Sequence, residues 1–111
     1  AGGMSVRVVV LRGAEADLRD LRRYVEHRFG SKAWMQSLKA LRAAMGRIAT
    51  HPEAGRVPDE LVPLGLPQYR QVMAGANRVI YERRGERAYV HLVCDARRDL
   101  KAVLMRRLVE S

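Results

Sequence analysis

A change of hydrophobic period at Leu66 does most to limit what this chain can fold into. Residues 66–108 contain LPQYRQVM, ANRVIYERR and RAYVHLVCDARRDLKAVLMRRL, in which three short β-type runs are separated at Gly75 and Gly85. Connections this short join antiparallel neighbours as hairpins. In the middle run Val79 and Tyr81 fall on one face, and Arg78, Ile80 and Glu82 on the other. In the last run the same period of two places Ala88, Val90, Leu92 and Cys94 on one apolar face. From Arg97 onward Leu100, Val103, Leu104 and Leu108 follow a helical spacing, with Arg98, Lys101, Arg106 and Arg107 around that stripe.

Upstream, residues 6–11 (VRVVVL) are β-branched and short, which predicts a first strand. From Ala14 the period changes, and Leu18, Leu21, Val25 and Phe29 form one helical stripe. Gly30 suits the position just past a helix end, and Ser31 is expected to cap the next helix. In that helix Trp34, Leu38, Leu41, Met45 and Ile48 make the second stripe, which stops at Thr50-His51-Pro52. Residues 53–67 hold Gly55, Pro58, Pro63 and Gly65 and read as a loop. The order is β-α-α-β-β-β-α. Segregated strands and helices predict an α+β fold with a small, mainly antiparallel sheet. The N-terminal strand and helical hairpin pack on one sheet face, a C-terminal helix closes the chain, and the opposite face is expected to carry the arginines.

The 111 residues suit one domain, here 4–111, with Ala1-Gly2-Gly3 reading as a cloning remnant ahead of Met4. Against 12 Asp+Glu stand 21 Lys+Arg, a net charge of +9, which points to a polyanion or an acidic protein partner. Only Lys32, Lys39 and Lys101 are lysines. Arginine is the better residue for bidentate recognition of carboxylates and phosphates. Cys94, the only cysteine, excludes an internal disulfide and reads as a small buried hydrophobe. His27, His51 and His91 lack ligand spacing, and there is no phosphate-cradling Gly loop or G-x-S-x-G elbow. Neither metal nor cofactor is expected, and a triad hydrolase has no support. No apolar run reaches the roughly 20 residues that span a bilayer, and no signal-peptide core precedes the first strand. A cytoplasmic protein without a membrane partner is the expectation. What remains is a cluster: Arg70 and Arg78 on adjacent strands, Arg97 and Arg98 where the last strand becomes a helix. Such forks can grip an acidic partner or stabilise a phosphorane-like transition state. They can equally solvate an open face and pair with Glu82, Asp95 and Asp99.

The motifs LRDLRRYVEHRFG, a tryptophan opening the second helix, IATHPEAGR, QYRQVMAGANRVIYERR and a strand ending CDARRDL occur in that order between Val6 and Leu108. Together they resemble the ParE branch of the RelE/ParE toxin superfamily. The resemblance implies a toxin of a type II toxin–antitoxin system, encoded beside an acidic antitoxin that wraps it. That antitoxin is expected to be ParD-like, with a ribbon-helix-helix part as the family expectation, and operator DNA would be reached only through the complex. Two activities are implied: poisoning DNA gyrase, as ParE-like proteins do, or RelE-like cutting of messenger RNA in the ribosomal A site. By resemblance Arg78 matches the arginine before the V-I-Y strand core, and Arg97-Arg98 match the basic pair after the last strand. In a ribonuclease these three would stabilise the scissile phosphate. RelE-like nucleases usually add a tyrosine or histidine near the C-terminus, but residues 99–104 read DLKAVL. Losing general acid–base help typically costs a factor of roughly 10²–10⁴. The remaining candidates, Tyr69, Tyr81 and Tyr89, all lie within strands. The chain also departs from the ParE pattern at Asp95, where many members carry histidine. Non-enzymatic gyrase inhibition is therefore the expectation, with a ribonuclease or an inactive antitoxin-binding module as alternatives. The expected target-binding residues are Arg70, Arg78, Arg97, Arg98 and Lys101, and the expected antitoxin contacts are Arg70, Tyr81, Leu18 and Trp34.

Overall fold

The computed structural model describes residues 5–110, so the Ala1-Gly2-Gly3 leader and Met4 lie outside the described residues, as does Ser111. Strand β1 (Arg7–Val10) leads into helices α1 (Arg12–Phe29) and α2 (Ser31–Thr50). A 3-10 helix (Asp59–Leu64) precedes strands β2 (Tyr69–Ala74), β3 (Asn77–Arg84) and β4 (Arg87–Asp95), and helix α3 (Leu100–Glu110) follows. The α+β order matches the expectation. The sheet runs β1-β4-β3-β2, with β2–β3 and β3–β4 antiparallel and β1 parallel to β4. Gly75 and Gly85 take positive φ at the two hairpin turns, where a side chain would be strained.

Two details of the hairpin differ from expectation. The Ser31 side chain makes no capping bond; the chain turns at Gly30, whose φ of 92° does the work instead. Phe29 is 63% exposed, because it is the last helical residue and the stripe has already run past the sheet. The other stripe residues behave as predicted. Val25, Trp34, Leu41 and Ile48 are buried against Val79, Tyr81, Ala88 and Val90, and Leu18 packs at the edge of this core.

The opposite face is not an open arginine surface. Leu61 from the 3-10 helix and Leu100 and Leu104 from α3 cover Tyr69, Ile80, Leu92 and Cys94 there, forming a second core. The 53–67 segment, read as a loop, earns its helical turn by supplying that cover. Burying Leu100 and Leu104 contributes roughly 1.5–3 kcal/mol each, which holds α3 on the sheet. Asp99 starts that helix by accepting the Ala102 N–H at 3.1 Å.

The predicted single apolar face of β4 is also corrected. Val79 pairs with Val93 and Ile80 with Leu92, but Tyr81 pairs with Val90, so His91 is an extra residue. This bulge reverses the alternation. Ala88 and Val90 face the helical hairpin, whereas Leu92 and Cys94 face α3.

Candidate functional site at the strand–helix junction

Beyond Val90 the outer edge of β4 has no strand beside it, because β1 ends and the Leu11 N–H makes the last bond, to the Val90 carbonyl. Side chains take over. Asp17 Oδ2 accepts the Val93 N–H at 3.0 Å, and Arg107 Nη1 donates to the His91 carbonyl at 2.7 Å. The two side chains also pair with each other, Arg107 Nη2 to Asp17 Oδ1 at 2.8 Å. A carboxylate from α1 and a guanidinium from α3 thus stand where the next strand's carbonyl and amide would be.

Around this edge lies a groove of about 680 Å³ between α1 and α3. Asp20, Leu21 and Tyr24 form one wall, Val103 and Arg106 the other, and Arg97 and Arg98 close the end. Arg97 is exposed and holds Asp95 with both its Nε and Nη2, at 3.0 and 3.3 Å. That side-chain bond from Arg97, with another from its backbone N–H, keeps the Asp95 carboxyl below the usual carboxylate range. Arg98, Lys101 and Arg106 are exposed, and among the described residues none of the three forms an ion pair.

Arg78 adjoins this junction from beneath. Its Nη2 reaches the Ala96 carbonyl at 3.0 Å and Glu60 Oε2 at 2.7 Å, and its side chain is only 14% exposed. The hydrogen bond from Arg78 holds Glu60 below its ordinary range. Arg70 is elsewhere. It shares the hairpin-facing side of the sheet with Tyr81, its register partner, and binds the Gly55 carbonyl at 2.7 Å and Glu53 Oε2 at 3.4 Å. Arg78, Arg97 and Arg98 therefore come together, with Lys101 just beyond on α3, whereas Arg70 does not join them.

The expected antitoxin contacts divide in the same way. Tyr81 is 0% exposed and Trp34 6%, so both are core residues with almost no surface to offer. Leu18 and Arg70 are half-buried. Burial raises the pKa of both Tyr81 and Tyr69, and burial likewise pushes the Cys94 thiol up. Tyr89 lies under the Arg84 guanidinium, 5.6 Å from its ring centroid.

Sequence reasoning missed three contributors. Arg106 was read only as one of the basic residues around the apolar stripe of α3, yet it lines the groove. Arg107 was too, although its spacing of three from Leu104 and seven from Leu100 puts it on the buried stripe. Tyr24 sits three residues beyond Leu21 on the same α1 face, a signal that helical spacing does contain.

Comparison with known proteins supplies the context for this geometry. The sequence profile described as the ParE toxin of the type II toxin–antitoxin system parDE matches residues 8–100. Toxin ParE1 of Mycobacterium tuberculosis, strains CDC 1551 / Oshkosh and H37Rv, is 32% identical over 83 residues, covering 75% of this chain and 81% of the relative. The solved chromosomal ParDE TA system from P. aeruginosa superposes with a TM-score of 0.67 over 83% of this chain and 97% of that one. Its identity of 12% makes it a likeness of fold.

Proposed function

Because the chain belongs to the ParE toxin family of type II toxin–antitoxin systems, we propose that it inhibits DNA gyrase and is neutralised by a cognate acidic antitoxin. The inhibition is by binding rather than by cutting. Arg98, Lys101 and Arg106 offer uncommitted cations to the gyrase–DNA complex, and Arg97 is positioned beside them. The observation that carries this reading is that the two carboxylates in contact with the junction arginines Arg97 and Arg78, Asp95 and Glu60, are each paired with one of them. Asp95 is committed to Arg97 and Glu60 to Arg78, and both carboxyls are held in the charged, weakly basic state. A group so held is poorly matched to removing a ribose 2′-hydroxyl proton near neutral pH. No helix among the described residues is long and apolar enough to cross a membrane, and the cytoplasm, where gyrase and DNA lie, is the compartment this function requires.

One observation favours the second reading, a ribosome-dependent endoribonuclease. Tyr24 is half exposed and lines the same groove as Arg97, Arg98 and Arg106, so α1 places a phenol where the C-terminal helix has none. The discriminating experiment is gyrase supercoiling and DNA cleavage with purified toxin, run beside ribosome-programmed mRNA cleavage. Trapped cleavage complexes with intact mRNA are expected. Cut mRNA with unaffected gyrase would overturn the proposal and make Tyr24→Phe the next variant.

A further inference from the structure

The cover laid by α3 and the 3-10 helix over one face of the sheet reaches only as far as Tyr69 and Leu92. Past them, at the end of the sheet where β4 begins, the same face is open. Arg87 stands in register with Arg7 on β1 and with Arg84 on β3, so three adjacent strands contribute a row of three arginines. Alternation puts this row on the side of Ile80 and Glu82, away from the helical hairpin. All three are exposed, and at the usual strand spacing the row is about 10 Å across. Like charges directly opposite one another destabilise a sheet, so the row costs stability. Among the described residues Arg7 and Arg87 form no ion pair, and the exposed Glu86 in the adjoining turn pairs with neither. One step inward lie Val9, Tyr89 and Glu82. Val9 and Tyr89 are half-buried yet belong to neither core. Glu82 is buried, with His91 Nε2 3.0 Å and Arg84 Nη2 3.1 Å from its Oε1. That bond to Glu82 fixes the Arg84 guanidinium over the Tyr89 ring, 5.6 Å from the centroid.

We propose that this end of the sheet binds single-stranded nucleic acid, with phosphates on Arg7 and Arg87 and an unpaired base stacked on the platform of Tyr89 and Arg84. An aromatic ring set among arginines takes up a strand whatever its sequence, because every base has a π-face. Bases in a duplex are already stacked on each other, so the platform selects a single strand. An acidic peptide would meet the two free arginines but leave the platform without a planar partner. The site is separate from the strand–helix junction. Strand β4 is 9 residues long, which at roughly 3.3 Å per residue sets its two ends about 26 Å apart. The inference does not depend on the gyrase reading, since it concerns nucleic acid met without the enzyme.

The test is fluorescence anisotropy of a short labelled oligothymidylate with the purified toxin, from low to high salt. The variants are R7A/R87A, Tyr89→Leu and Tyr89→Phe, each checked for an unchanged melting temperature. R19A/R42A, which removes two exposed arginines from the helical hairpin, is the charge-matched control. R7A/R87A is expected to weaken binding roughly tenfold at low salt and to lower the slope of log Kd against log salt by about 1.4, two contacts at about 0.7 each. Tyr89→Leu loses the stacking and binds about fivefold or more weakly, whereas Tyr89→Phe keeps the ring and stays within about twofold. R19A/R42A stays within about threefold, because its charges act only at a distance. Equal losses in the two arginine doubles would reduce the row to a share of the net charge and overturn the proposal. So would full binding by Tyr89→Leu, or a duplex bound as tightly as the single strand. Polyglutamate bound more tightly than the oligothymidylate, and released in R7A/R87A, would reassign the face to an acidic protein segment. No binding by the wild type would overturn the site and leave gyrase inhibition standing, since the supercoiling assay reports that separately.

Discussion

Gly55 has no room for a side chain. A methyl group there would lie 2.9 Å from Cε1 and Cζ of Tyr81 and nearer still to its hydroxyl. That ring is fully buried, and its hydroxyl donates to the Pro52 carbonyl at 2.6 Å while accepting the Gly55 N–H at 3.2 Å. A rigid ring held at both ends cannot step aside, so Gly55→Ala should cost about 2–3 kcal/mol by overpacking. Tyr81→Phe keeps the ring but strands two buried backbone groups, and should cost about 1–2 kcal/mol. Urea denaturation measures both, and a Gly55→Ala protein as stable as wild type would refute the account. The junction arginines separate by the same logic. Arg97 and Arg98 are exposed, so their joint replacement by alanine should change stability by less than about 0.5 kcal/mol. It should nonetheless lower toxicity; a folded double variant that stays fully toxic would show that the target is gripped elsewhere. Arg78 is a poorer probe, because removing it also strands Glu60 and the Ala96 carbonyl.

At the scale of elements, the helical hairpin and the three closing strands were legible because their stripes repeat over many residues. Leu18 through Ile48 needed only a period near 3.6, and β3 needed only a period of two. The bulge at His91 was not legible, since it is a matter of register against β3, and the alternation of Ala88, Val90, Leu92 and Cys94 reads as one unbroken apolar face without it. Its effect was to turn one anticipated face of β4 into two, each with its own core. The cover over the second face was equally hidden: Leu61 sits among prolines and glycines that signal turns, and only packing shows that those turns are helical. For the site, the spacing of the residues suggested the Arg78, Arg97 and Arg98 neighbourhood, while the Arg70 misplacement followed from counting strands without knowing which face each residue takes. The pairing of Asp17 with Arg107 could not be read, because the partners lie 90 residues apart. It bears directly on stability. Asp17→Asn or Arg107→Met should each cost about 2 kcal/mol, below the value for a fully buried pair because both groups keep some solvent contact. A double-mutant cycle measures the coupling, and strictly additive losses would show that each side chain acts only on the strand edge.

The whole molecule is a strongly basic body whose few acids are mostly committed to cations. Hydrogen bonds from Arg83, Arg78 and Arg97 hold Glu53, Glu60 and Asp95, respectively, below their ordinary range. A carboxylate with a lowered pKa contributes stability above its unfolded-state value and loses it as pH falls through the folded one. Melting temperature should therefore be flat near neutrality and decline below about pH 4, as these groups protonate and the positive charge goes unbalanced. Glu60→Gln should melt lower at pH 7 and show a shallower acid decline; an identical acid profile would mean that Glu60 contributes nothing. The bond between Asp17 and Arg107 has a consequence in time as well as in space. Contacts between such distant parts of a chain carry a large loop-closure cost and tend to form late. Until Arg107 has been synthesised and has left the ribosome, the outer edge of β4 lacks one of its two covers. The interval is short on the chain, since only residues 96–107 separate the end of β4 from the side chain that completes its cover, and over it the edge has Asp17 alone.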